Sequence, residues 1–396
     1  MKKPTVLLAL ALSVTPVCAA ASGTAVAHAA APTRAHTPDI SANGRFVSFS
    51  SDTKLVAGDT NRTRDVYVWD VTTAAVRRVS VTSAGKQANG PSFFPSISAD
   101  GRYVAFLSHA SNLVSGDTNG VVDAFRADLR TGKVIRVSVG AGGGQAKGAA
   151  ADAQIDSSGR YVAFGSTAAN LVAGDTNKVA DAFVRDVVSG TTQRVSFKPG
   201  GGQLTAGGLG KISISPGASR VGFAAGSQQT GYEWTRSTGR VTVLNRGERI
   251  HTTRATAKGT AFVGAWEDAC VGSPGYIFDG RGTVRGGADC TAVWAWEAFD
   301  VNTSSTRMAI GSDTVSPEPY GFSIFIFDGP FSHDDHDGIY LEDWAVDSLQ
   351  PPASLRQDEP LAISDDGASV AFVDGDGGLN VWQRDADRTV RLPAAT

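Results

Sequence analysis

The feature that most constrains this chain is a repeat of about 58 residues. Three segments align by eye: Ile40-Ser-Ala-Asn-Gly-Arg45-Phe-Val-Ser-Phe, Ile97-Ser-Ala-Asp-Gly-Arg102-Tyr-Val-Ala-Phe and Ile155-Asp-Ser-Ser-Gly-Arg160-Tyr-Val-Ala-Phe. Each is followed by Leu-Val-x-Gly-Asp-Thr-Asn, beginning at Leu55, Leu113 and Leu171. Then come Asp65, Asp123 and Asp181, the Arg-Val-Ser triplets around Val79, Val137 and Val195, and Gln-containing marks at Gln87, Gln145 and Gln203. Ile214-Ser-Pro-Gly and Ile363-Ser-Asp-Asp-Gly continue the series, with eroded copies near residues 253 and 298. Seven units are expected, starting near residues 38, 95, 153, 212, 253, 298 and 361, although erosion of the fifth and sixth leaves six or eight open.

Within a unit the pattern predicts four short strands. Asp100-Gly101 is a hairpin signal between two apolar runs, and Arg130 to Lys133 makes a second tight turn. Tyr103 to Leu107 is apolar on both alternating faces, as expected of a strand sandwiched between neighbouring sheets. A four-stranded sheet cannot cover both of its faces alone. Radial stacking solves that problem and leaves only short edges, so the fold class is all-β: a β-propeller of four-stranded antiparallel blades.

The Ile-Ser-Ala-Asp-Gly-Arg-Tyr-Val-Ala-Phe core, followed by Asp-x-Φ-x-x-Asp and Arg-Val-Ser, resembles the TolB-type, WD40-like (PD40-type) repeat of bacterial exported propellers. The resemblance implies an extracytoplasmic compartment as well as the fold. It departs from true WD40 units, since Trp69-Asp70 occurs once and no unit carries Gly-His.

The N-terminus agrees with export. Lys2 and Lys3 precede an apolar run from Val6, and Ala27-His28-Ala29 supplies small residues at a cleavage site, so residues 1–29 read as a secretory signal and 30–396 as a single propeller. Cleavage removes two lysines and takes the formal charge from −3 to −5. No basic footprint for nucleic acid exists, and no later stretch is apolar for long enough to anchor in a membrane. Cys270 and Cys290 are the cysteines left in the mature chain, and in an oxidising compartment they are expected to form a disulfide.

Loop lengths predict one working face. The second-to-third and inter-unit connections are long and emerge on the same side, whereas the opposite turns are tight. A monomer binding a protein or small ligand (a carbohydrate among them) through those long loops is the expected function, with no catalytic residue assigned. The alternative is an extracellular hydrolase or lyase acting on carbohydrate or lactone, built on acids converging from distant loops.

Three chemical candidates stand out. Asp59, Asn61 and Asp65 recur as Asp117, Asn119 and Asp123, and as Asp175, Asn177 and Asp181. Hard oxygens at alternate positions suit Ca²⁺, while the same residues also make Asx-turns that satisfy loop backbone. His333-Asp-Asp-His336, with Glu342 and Asp343, has the donor types for zinc or reads as a solvated turn. Trp266, Trp294, Trp296 and Trp344 offer either a sugar platform or inter-blade packing.

Overall fold

The computed structural model describes residues 34–205, 207–244, 249–256, 260–265, 276–279, 282–284, 294–301, 307–314, 321–328, 345–349 and 360–393. Cys270, Cys290, Trp266, Trp344 and the His333–Asp343 segment lie outside them, as does the expected signal. Trp294 and Trp296 fall within the described strand Trp294–Val301.

Among the described residues the strands form seven four-stranded sheets, each antiparallel and ordered as in the sequence. The second sheet is typical: Ser92–Ile97, Tyr103–Ser108, Asp123–Asp128 and Val134–Arg136. Its first strand starts earlier than the motif, and its last stops at Arg136, the first residue of the Arg-Val-Ser triplet. The early stop has a local cause: Ser138 Oγ accepts the Ala124 N–H at 3.1 Å and donates to Asp123, so a side chain replaces the next ladder bond. The chain then turns, with Val139 pairing to Gln145 as an isolated bridge.

The two-faced strand does what its composition demands. Val104 and Phe106 pack with Val66 and Val68 of the first sheet, whereas Ala105 and Leu107 pack with Ile155 and Phe164 of the third. In each of the first three sheets an aromatic of the second strand stacks on one of the third: Phe49 on Tyr67, Phe106 on Phe125, and Phe164 on Phe183, at 5.7–5.8 Å. These rings are fully buried and contribute roughly 2–3 kcal/mol each through removal from water.

The last sheet meets the first. Phe49, Tyr67 and Trp69 share a core with Val373, Leu379 and Val381, and the Ala35 N–H donates to the Gly377 carbonyl at 3.0 Å. The innermost strands of all seven sheets line one central cavity, from Thr37 and Asp39 around to Asp300 and Ala362. The chain is therefore a β-propeller whose first and last sheets close by packing and backbone hydrogen bonds.

Candidate functional site

The repeated Asp-x-Asn-x-x-x-Asp loops come first, because sequence pointed to them. In each of the first three blades the two aspartates receive the guanidinium of the Arg-Val-Ser triplet. Arg78 Nη1 lies 3.4 Å from Asp59 and 3.6 Å from Asp65; Arg136 lies 3.1 and 3.2 Å from Asp117 and Asp123; Arg194 lies 3.2 and 3.9 Å from Asp175 and Asp181. These side chains are nearly all buried. The glutamine mark joins them: Gln145 Oε1 accepts from Arg136 and from the Thr118 N–H, while its Nε2 donates to Thr118 Oγ1 at 2.8 Å. The Asn119 amide donates to Asp123 and to the Ala146 carbonyl.

The four sequence markers are thus one polar cluster per blade, tying the second-to-third loop to the outer strand and the inter-blade connection. Burial pushes the carboxyls of Asp65 and Asp181 up from the usual range, opposed by hydrogen bonds from Ser80 and Ser196. The Tyr67 hydroxyl, buried and donating to Asp59, is pushed well above its ordinary range. In this structure the carboxylates proposed for Ca²⁺ hold arginine, and no three His, Cys, Asp or Glu side chains are grouped as for a metal among the described residues.

The more distinctive site lies at the centre. The residue preceding each repeat's Ile anchor falls on the innermost strand: Asp39, Ser96, Gln154, Ser213, then Arg254, Asp300 and Ala362 at the corresponding positions. Several of them clasp the next blade. Asp39 Oδ2 accepts the Ile97 N–H at 2.8 Å, Ser96 Oγ the Ile155 N–H at 3.2 Å, Ser213 Oγ the Ala255 N–H at 2.8 Å, and Asp300 Oδ2 the Ile363 N–H at 2.9 Å. In the third blade Asp152 does this, accepting the Ile212 N–H at 2.7 Å and the Gln154 amide at 2.8 Å.

Arg254 bridges the ring, its Nε 3.2 Å from Asp300 Oδ1 and its charge acting on Asp39. Burial nevertheless dominates at Asp39 and pushes its carboxyl up.

At the end of the cavity that receives the long connections, the inner strands bulge. Register shifts fall between His36 and Asp39 and between Phe93 and Ser96, where Pro38 and Pro95 have no N–H to pair. Thr37, Phe94 and Asp152, each three residues before its Ile anchor, take φ of +46°, +51° and +40°. The mouth so formed is open to solvent and is lined by Thr37, Phe94, Asp152, Lys211, Arg254 and Asp300, among others.

Sequence reasoning missed this ring. The signal was present in the unlike residues immediately before otherwise alike motifs.

No protein-family model matches the chain, and no curated protein matches it in sequence. Solved structures do match in fold. An oligogalacturonate lyase from Vibrio parahaemolyticus is 12% identical with a TM-score of 0.57, covering 89% of this chain and 90% of its own. The Cps50 (Swd1) β-propeller domain of Myceliophteria thermophila is 12% identical at 0.51, covering 88% and 97%. A prolyl endopeptidase is 9% identical at 0.55, covering 91% of this chain and 50% of its own. At such identities the likeness is of fold alone, and the proteins that share it include a lyase and an endopeptidase.

Proposed function

We propose that this chain is an exported, monomeric binding propeller of the TolB-type repeat class, taking its ligand at the long-connection mouth of the central cavity. One observation carries the reading: seven inner strands bring unlike side chains together there once, while the rest of each blade repeats. A repeated loop offers the same chemistry several times around a ring, but a single ligand needs different groups converging on it.

Binding fits this ring better than catalysis on carbohydrate or lactone. A partly buried carboxyl with a raised pKa, as at Asp39, has the property of a general acid. Yet Asp39 accepts the Ile40 and Ile97 N–H groups on its two oxygens, and Asp152 and Asp300 are likewise held by the backbone of the following blade. Carboxylates pinned as acceptors orient a ligand but are poorly placed to pass a proton. Export and a Cys270–Cys290 bridge belong to the same proposal, supported by the N-terminal pattern and the pair of cysteines in the mature chain.

The test uses residues 30–396 in affinity ultrafiltration of spent culture medium, read by mass spectrometry. A species retained by the wild type and lost on Lys211→Ala, with unchanged circular dichroism, supports the reading. Retention of nothing, or retention indifferent to Lys211→Ala, overturns it.

A further inference from the structure

The chemistry of the mouth narrows the ligand, on the premise that the mouth is the binding site proposed above. Phe94 is the first observation. A large apolar side chain is held 39% exposed at the rim of a polar cavity, in the left-handed backbone region that bulky residues rarely enter. Pro95 follows it inside the bulge and fixes the local chain, and Phe93 meets its ring edge-on at 5.3 Å. Lys211 Nζ sits 5.1 Å from the ring centre. Backbone strain that exposes an aromatic ring instead of burying it is the arrangement found at ligand clamps.

The second observation is the mixture of polar groups that line the same cavity. Asp39, Asp152 and Asp300 supply acceptor oxygens; Arg254 and Lys211 supply donors; Gln154, Ser96 and Ser213 line the cavity deeper in. Three carboxylates against two cations leave the described mouth with a formal charge of −1, which favours neither an anion nor, with Arg254 between the acids, a strong cation. A ligand matching donors and acceptors in alternation, with an apolar C–H face for the aromatic ring, is a polyol ring.

We infer that the mouth is a subsite for a neutral saccharide, with Phe94 as the stacking surface and Asp152, Arg254 and Lys211 hydrogen-bonding the hydroxyls. A uronic acid would bring its charge towards Asp39, Asp152 and Asp300 and is disfavoured.

Saturation-transfer NMR on residues 30–396 tests this with methyl β-glucoside, methyl β-galactoside, N-acetylglucosamine, cellobiose and glucuronic acid. Transfer to at least one neutral sugar is expected, with Phe94→Ala weakening it about tenfold and Phe94→Trp preserving it. Phe94 is exposed, so both variants are expected to fold, and unchanged circular dichroism checks it. If no neutral sugar binds, or Phe94→Ala binds as well as wild type, the saccharide assignment is wrong. Should that happen while ultrafiltration still retains a Lys211-dependent species, the binding mouth stands with another ligand; if both experiments fail, both readings fall.

Discussion

Asp39 Oδ2 accepts the backbone N–H of Ile97, 58 residues later on the innermost strand of the next blade, at 2.8 Å. The same carboxylate lies in the cavity where Arg254 acts on it. A residue of the candidate site is therefore also a fastener between blades, and its two roles separate by substitution. Asp39→Ala leaves the Ile97 N–H without its partner and is expected to cost roughly 1–3 kcal/mol in urea unfolding. Asp39→Asn keeps an acceptor oxygen and should cost less than half as much. Equal costs would show that charge, not the clasp, matters here.

The glycine of the repeated turn predicts a second effect. Gly159 has φ +73°, and a Cβ there would stand 2.1 Å from Cδ2 of the Tyr103 ring in the preceding blade. Gly116 has the same φ with nothing within 4 Å. Gly116→Ala should then cost only the backbone penalty, about 1 kcal/mol, while Gly159→Ala should cost several-fold more because the tyrosine must also move. Thermal midpoints of the two variants give the comparison directly. Similar shifts would mean that Tyr103 yields without resistance.

These two relationships show what sequence could and could not disclose. The period, the hairpin turns and the two-faced strand were legible because each follows from local chemistry: Gly at a left-handed turn, alternation on a sandwiched strand. The markers Asp117, Asn119, Asp123, Arg136 and Gln145 were legible as repeats but not as one cluster, since contact across 27 residues depends on where the outer strand ends. The central ring was hidden for the opposite reason. Asp39, Gln154 and Arg254 are unlike one another, and alignment of repeats discards unlike positions; only closure of the sheets brings them together.

Stability should depend on pH with two opposing signs. Asp39, Asp65, Asp117 and Asp181 are pushed up, chiefly by burial, so the folded state binds their protons more tightly than the unfolded chain. Their effect lowers stability as pH rises from the unfolded value, about 4, through the folded values. Asp128 and Asp186 are held well below the usual range by the guanidinium forks of Arg102 and Arg160, at 2.7–3.0 Å. Their stabilisation is complete above about pH 4 and is lost as pH falls towards the depressed values. The thermal midpoint is expected to peak near pH 4–5, and Asp39→Asn should flatten the decline on the alkaline side. A midpoint still rising through pH 7 would contradict these signs.

The buried arginines carry the last prediction. Arg136 neutralises Asp117 and Asp123 and also donates to Gln145, so the guanidinium is the hub on which two loops and the outer strand depend. Removing it strands two buried carboxylates, a loss of roughly 3–5 kcal/mol in such pairs. Arg136→Met should therefore unfold at markedly lower urea than wild type, and the double variant Arg136→Met with Asp117→Asn should recover part of the loss by removing one uncompensated charge. The same geometry bears on calcium. A cation already occupies the space between the aspartates, so millimolar Ca²⁺ is expected to leave the wild-type midpoint in place. In Arg136→Met it should raise the midpoint, because the vacated carboxylates then have only the ion to neutralise them. A rise in the wild type that is lost in Asp59→Asn, Asp117→Asn and Asp175→Asn variants would instead make the loops calcium sites and displace arginine from its role as their counter-ion.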